Sequence, residues 1–308
     1  MSGIKRIFMT GGTGFFGKSL LSMLERGFRP DCELVILSRD PEKFRRSNPE
    51  FSRLGRVSFV AGDVRDFEFP PGRFDWVIHA GNPARVLPPG AMRDVILKGT
   101  GRVLAFAKNC GAEKLLFTSS GAVYGPQPPE LEKIPETFPC SPVTEYGIAK
   151  LEAEKMCCAS GIYTVIPRCF AFTGPYLDRD IHFAVGNFIR DALAGAPIVI
   201  RGDGTPYRSY LYADDLVEWL FALLERGENG LPYNVGSDRS LSIAELAAAV
   251  KKILGSASSV TVEGTPRPDR RPERYVPDIS RITSQLGVEV RVPFDEAIRR
   301  SAAAGKGA

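Results

Sequence analysis

The sequence predicts an α/β protein in which a doubly wound parallel sheet carries a smaller α/β lobe. Three observations predict it. Short apolar runs alternate with amphipathic stretches through the first half of the chain, the rhythm of strand, helix, strand. The runs I-K-R-I-F-M and E-L-V-I-L read as buried strands, which a parallel sheet with helices on both faces requires. A glycine-rich turn, T-G-G-T-G-F-F-G, joins the first run to the first amphipathic stretch.

In order, the expected strands are I-K-R-I-F-M, E-L-V-I-L, V-S-F-V-A-G-D, D-W-V-I-H-A, K-L-L-F-T-S-S and Y-T-V-I-P-R-C-F. Between several of them lie helix patterns such as K-S-L-L-S-M-L-E-R-G and M-R-D-V-I-L-K-G-T-G-R-V-L-A-F-A-K-N-C-G. After Gly174-Pro175 the rhythm becomes irregular. Helix N-F-I-R-D-A-L-A-G, strands P-I-V-I-R-G and R-S-Y-L-Y, and helices A-D-D-L-V-E-W-L-F-A-L-L-E-R and S-I-A-E-L-A-A-A-V-K-K-I-L-G follow. The chain therefore divides into a main domain, residues 1–170, and a smaller lobe, residues 171–308, with some later segments returning to the first. Pro266 to Pro277, rich in Pro and Arg, reads as an exposed loop, and the tail S-A-A-A-G-K-G-A as frayed.

Composition narrows the class. A formal charge of +4 over 308 residues is too small to argue for a nucleic-acid or membrane surface. Cys32, Cys110, Cys140, Cys157, Cys158 and Cys169 show no C-x-x-C spacing, and only His79 and His182 offer imidazole, so neither zinc nor a disulfide framework is indicated. The start, M-S-G-I-K-R-I-F, runs into a strand without the apolar core of a signal peptide. Even L-V-E-W-L-F-A-L-L is short for a membrane span and carries Glu218. The expectation is a reduced, cytoplasmic, soluble protein.

Gly11, Gly14 and Gly17 allow a tight turn, a close backbone approach and close helix packing, while the helix start offers unpaired N–H groups to a pyrophosphate. That is the pattern of a Rossmann-like dinucleotide site. After the second strand an acidic residue would bond a free ribose 2′-hydroxyl, whereas Ser38-Arg39 stands here and suits a 2′-phosphate. NADP is therefore favoured over NAD; alternatively Arg39 is a solvated neighbour of a helix cap and Asp40 contacts the ribose. Asp63 in A-G-D-V-R-D is placed to meet the adenine amino group, as an exposed turn aspartate would also be. In T-E-Y-G-I-A-K, Tyr146 and Lys150 share one helix face, and a neighbouring ammonium lowers the pKa of a phenol.

These segments, with S-S-G-A-V-Y-G, P-R-C-F-A-F-T-G-P and G-D-G-T-P-Y-R-S-Y-L-Y-A-D-D-L, resemble the extended short-chain dehydrogenases/reductases of the NAD-dependent epimerase/dehydratase type. Most of that family act on nucleotide-activated sugars, and the resemblance covers nearly the whole chain. It implies Ser120 as the hydroxyl on the reacting sugar oxygen, Tyr146 as acid-base, and Lys150 as the lysine that binds the nicotinamide ribose and lowers the tyrosine pKa. It implies cofactor contacts from Gly11, Thr13, Gly14, Phe15, Phe16, Gly17, Ser38, Arg39, Asp63, Val64, Ala80, Gly81, Tyr146 and Lys150. For the substrate it implies Ser120, Asn187, Arg208 and Arg271, with Arg270 and Arg274 as neighbours of Arg271 that compete for the diphosphate. A homodimer through helices spanning residues 92–110 and 144–160 is a common family arrangement.

Four departures stand out. Ala171 and Ile96 replace family asparagines, and Ser209 replaces the aspartate after the matching arginine. Gly121 and Ala122 follow Ser120, where related dehydratases have acidic residues and decarboxylating relatives have a glutamate at the position of Ala122. The residues imply an NADP-dependent reductase of a 4-keto group on a nucleotide-activated sugar. A 4-epimerase with retained NAD is the alternative; a 4,6-dehydratase or a non-catalytic NAD(P)-binding regulator fits less well.

Overall fold

The structure, a computed structural model, describes residues 4–82, 87–88, 90–180, 183–267, 269 and 271–303. The chain begins β1 (Lys5–Thr10), α1 (Phe15–Glu25), β2 (Cys32–Ser38), α2 (Pro41–Ser47), β3 (Val57–Ala61), β4 (Trp76–His79), α3 (Ala91–Asn109), β5 (Lys114–Phe117), β6 (Ser119–Ser120), α4 (Glu145–Ala159) and β7 (Thr164–Cys169). It continues β8 (Phe172–Thr173), α5 (Ala184–Ala194), β9 (Ile198–Ile200), β10 (Tyr207–Ser209), β11 (Leu211–Tyr212), α6 (Ala213–Arg226), β12 (Pro232–Val235), β13 (Ser240–Ser242), α7 (Ile243–Leu254), β14 (Val260–Val262), β15 (Arg274–Tyr275), α8 (Ser280–Leu286) and α9 (Phe294–Ala303).

The main sheet is parallel, in the order β12-β7-β5-β4-β1-β2-β3, with β6 also pairing β7. The strand order reverses between β1 and β4, and in such sheets the crevice at that point takes the ligand. Alternation along each strand feeds two cores. Ile7, Met9, Leu34 and Ile36 face one cluster with α1 and α6, whereas Phe8, Val35 and Leu37 face the other with α3 and α4. This double burial explains the nearly unbroken apolar strands.

Two later segments join this sheet: β12 extends it beyond β7, and α6 packs against α1. A third core joins Val185, Phe188 and Ile189 of α5 to Leu246 and Val250 of α7 and Ile298 of α9. Helix α7 opens on a reciprocal cap, Ser242 accepting from the Glu245 amide while Glu245 accepts from the Ser242 amide.

Three expectations need correction. R-S-Y-L-Y is not one strand: β10 joins a sheet with β13 and β15, while β11 pairs with β8. The stretch from Pro266 to Pro277 is not an exposed loop throughout, because β15 pairs with β10 and Val276 and Pro277 are buried behind it. The tail is not frayed from Ser301, whose buried hydroxyl bonds Thr173 and the Ala297 carbonyl; residues 304–308 lie outside the described residues. Among the described residues no helix is long and apolar enough to cross a membrane.

Candidate active site

The glycine turn sits at the crevice. Gly11 has φ 76°, and a Cβ there would lie 2.4 Å from the Ala80 carbonyl oxygen, so only glycine lets β1 and β4 close up. A Cβ on Gly17 would lie 2.1 Å from Gly12 O, which keeps α1 tight against the turn. Gly14 caps α1 without a side chain, and the nearest protein atom to a Cβ there is Gly11 O at 3.4 Å. The first turn of α1, beginning Phe15, Phe16 and Gly17, carries no acidic residue, so its amide dipoles are left for an anion. Half-buried Thr13 completes the turn, and the Phe15 and Phe16 rings pack toward Phe172.

At the end of β2, Ser38 is buried and accepts from the Asp40 amide. Asp40 spends its carboxylate on the Lys43 amide, 2.9 Å away, as the cap of α2. Exposed Arg39 pairs with no carboxylate among the described residues. Asp63 accepts from the Arg65 amide and guanidinium, and that bonding holds it below the usual carboxylate range. Val64 packs under Gly99, where a Cβ would stand 3.0 Å from its methyl. Beyond Ala80, the Gly81 amide donates to Thr10 Oγ1, which also meets His79 Nδ1 at 2.7 Å. Burial, with the Lys150 charge second, lowers His79 to about 3, so this imidazole is neutral.

Ser120, Tyr146 and Lys150 come together across β6 and α4. Ser120 caps the short helical turn Gly121–Tyr124 through the Ala122 amide at 3.1 Å, and Thr144 caps α4 through the Gly147 amide. Gly147 lets the two turns touch: a Cβ would lie 2.6 Å from Ala122 O. Lys150 is buried, donates to Thr118 O at 2.6 Å, and lies 4.6 Å from the Phe117 ring centroid and 5.9 Å from that of Tyr146. Desolvation lowers its pKa to about 8.

The expected lowering of the tyrosine does not hold here. Burial pushes Tyr146 up to about 12, opposed by hydrogen bonding with Ser120 rather than by Lys150. The ammonium is committed to the Thr118 carbonyl beneath the ring. Ile96, in place of an asparagine, is packed into the core and offers no polar group to this region. Glu145 does not reach the site either: its carboxylate accepts from the Gly90 and Arg93 amides at the start of α3.

A buried ion pair anchors Ser119, the residue before Ser120. Arg168 forks onto Glu154 at 2.8 and 3.1 Å, and Ser119 also donates to Glu154. Sequence reasoning passed over this pair because it joins α4 to β7 at no diagnostic spacing. It also missed Tyr275. A Cβ on Gly121 would lie 2.6 Å from Tyr275 Oη and 2.8 Å from the Phe170 ring, so β15 brings a second phenol to the Ser120 turn. No motif signalled it.

In the smaller lobe, half-buried Arg208 donates to Tyr207 O and pairs with no carboxylate among the described residues. Beside it Ser209 Oγ is buried without a hydrogen-bond partner among the described residues. Arg274 stacks on Tyr207, 4.4 Å from its ring centroid, one register position from Arg208. Arg271 is exposed and Arg270 lies outside the described residues. The Asn187 amide donates to Arg179 O at 2.6 Å, which commits it to the loop before α5.

The family model for the NAD dependent epimerase/dehydratase family matches residues 7–236. The chain belongs to this family. It is 30% identical to UDP-glucuronic acid decarboxylase 1 of Xenopus tropicalis, over 96% of this chain and 71% of that protein. It is 29% identical to UDP-glucuronic acid decarboxylase 1 of Arabidopsis thaliana, over 96% of this chain and 68% of that one. Among solved structures, the UDP-N-acetylglucosamine 4-epimerase of Methanobrevibacter ruminantium, in complex with UDP-N-acetylmuramic acid, superposes with a TM-score of 0.86 at 22% identity, covering 99% of each chain. The dTDP-glucose 4,6-dehydratase of Bacillus anthracis, in complex with NAD, gives 0.82 at 17% identity, over 97% of this chain and 96% of that one. At these identities the structural matches establish the epimerase/dehydratase fold, a mostly parallel Rossmann-like sheet flanked by helices.

Proposed function

We propose that this family member is a nicotinamide-dependent oxidoreductase of a nucleotide-activated sugar, and that it reduces a ketone at C4. The observation that carries the reading is the company Ser120 keeps: two phenols, Tyr146 and Tyr275, with no carboxylate hydrogen-bonded to it among the described residues. Beyond the hydride that a nicotinamide would supply, ketone reduction needs a proton donor and a partner for the developing oxyanion.

The glycine turn fits a dinucleotide, since Gly14 leaves its backbone open and the start of α1 is uncapped. Gly11 to Gly17 would hold the pyrophosphate, and Ser38 and Arg39 the adenosine ribose. With Asp40 committed to α2 and Arg39 in no salt bridge among the described residues, the end of β2 suits a 2′-phosphate, hence NADP; the NAD bound to the similar dehydratase structure favours the alternative. The nicotinamide supplies or takes up a hydride. Ser120 and Tyr146 hydrogen-bond the reacting oxygen. Tyr146, held protonated at neutral pH by burial, releases its proton to the oxygen as negative charge develops there. One of the three Lys150 donors is bound by Thr118 O, leaving two for a ligand. Arg208, with Arg274 beside it, suits the diphosphate; the exposed Arg271 is a weaker choice and Asn187 already has a partner.

A second reading is decarboxylation of UDP-glucuronic acid, favoured by 30% identity over most of the chain. Incubation with NADPH and an NDP-4-keto-6-deoxy sugar tests the first: NADPH and ketone should disappear in equal amounts. Carbon dioxide release from UDP-glucuronic acid without net coenzyme consumption supports the second. Interconversion of NDP-hexoses by retained NAD would identify a 4-epimerase.

A further inference from the structure

We infer that Arg168 is a positioning residue: together with Glu154 it fixes the separation between the Ser120 turn and the helix that carries Tyr146 and Lys150. The inference rests on the proposed function only in that Ser120 and Tyr146 act on the same oxygen. Both side chains are buried, 8% and 7% exposed, and act through the protein groups they hold. Arg168 meets three elements. In β7 it stands in register with Ser119 of β6, as Cys169 does with Ser120. Its guanidinium forks onto Glu154 of α4 at 2.8 and 3.1 Å, and the Ser119 hydroxyl donates to the same carboxylate. Glu154 follows Lys150 by four residues, as Lys150 follows Tyr146, so the three succeed one another along one side of α4. The guanidinium carbon also stands 4.8 Å from the centroid of the Tyr124 ring, at the end of the turn that Ser120 caps. Tyr124 is held in its turn by Asn234 of β12, whose Oδ1 accepts from its hydroxyl at 2.8 Å and which pairs with Arg168 along β7.

Stability alone does not account for charges at this place. A well-packed apolar pair of similar volume is often as stable or more so, because burial strips water from both ions. What apolar packing lacks is direction. Two N–H···O bonds from one guanidinium fix distance and rotation together, and here they lock α4 to β7. Ser120 is then constrained on both sides, by Ser119 before it and by Tyr124 at the far end of its turn. Reaction at one oxygen shared by Ser120 and Tyr146 requires their hydroxyls at a set separation, and a misplacement of about 1 Å costs on the order of a hundredfold in rate.

The test is the double variant Arg168→Met with Glu154→Met, which keeps the volume and removes the direction. Two readouts separate positioning from folding. Hydrogen exchange needs no substrate: the Ala122 amide, which donates to Ser120 Oγ, should exchange roughly tenfold faster than in the wild-type protein, while amides of β1 and β4 and the melting temperature stay unchanged. In turnover of NADPH with an NDP-4-keto-6-deoxy sugar, kcat should fall about a hundredfold with KM and NADPH affinity preserved. Ser119→Ala, which leaves the fork intact, should show the same two changes at smaller size, and it decides the matter if the double variant does not fold. Unchanged Ala122 exchange in a folded variant overturns the inference, as does an unchanged kcat or exchange that quickens equally in β1 and β4. A wild-type protein that does not oxidise NADPH with this sugar overturns the proposed reduction alone, and the exchange result then decides for or against Arg168.

Discussion

Tyr275 and Gly121 exclude one another's side chains: a Cβ on Gly121 would stand 2.6 Å from the phenol oxygen. The acid missing after Ser120 is therefore not an empty position that a single substitution restores. Gly121→Ala should overpack the Phe170–Tyr275 wall and cost about 1 to 3 kcal/mol of stability in urea denaturation. Gly121→Glu should not gain dehydration of NDP-glucose. A 4-keto-6-deoxy product from the unmodified protein would falsify the assignment of the site as acid-free.

Tyr146→Phe removes one hydroxyl from a site that keeps Ser120 and Tyr275. The protein should fold and bind NADPH normally while turnover falls by about two to four orders of magnitude. A near-normal rate, measured by NADPH absorbance, would shift the proton-transfer role to the remaining phenol.

Lys150 links stability to pH. Its folded pKa, about 8, lies below the ordinary 10.5, so the unfolded chain holds this proton more tightly. The charged form opposes folding below pH 8, and the penalty fades as pH rises toward 10.5. Lys150→Met should accordingly be more stable near neutral pH by about 1 to 3 kcal/mol, after allowing for the lost donor to Thr118 O. That advantage should shrink between pH 8 and 10.5, and cofactor affinity should be lost throughout. A destabilised variant at neutral pH would show that the ammonium contributes to folding.

Glu154→Gln should leave the Arg168 guanidinium buried without its counter-charge, and it replaces one of the two oxygens that accept from Arg168 and Ser119 with an NH2 donor. A loss of about 3 to 5 kcal/mol is expected in denaturant titration. Replacing both partners with apolar residues of similar volume should recover most of it.

Arg39→Ala separates the two dinucleotides. If Arg39 holds a 2′-phosphate, NADPH should bind the unmodified protein roughly ten- to a hundredfold more tightly than NADH, and the variant should lose most of that preference. Equal affinities in fluorescence titration would assign the site to NAD.

Local spacing alone makes much of the protein legible. The glycine turn, the continuously apolar strands and the Tyr146–Lys150 helix face are set within single elements, where the periods of 3.6 and 2 fix which residues are neighbours. So the succession of strands and helices and the Tyr146–Lys150 pairing followed from the chain itself. The tertiary structure decided which atoms those neighbours use. Lys150 turns to Thr118 O because the end of β5 presents that carbonyl beneath it, and Asp40 is consumed by the start of α2. Tyr275 reaches Ser120 only because β15 enters a sheet with β10 and the R-S-Y-L-Y segment breaks into two strands that join different partners. Strand pairing between distant segments depends on which edges are left free and in what register, and no periodicity within the Pro266–Pro277 stretch encodes that choice.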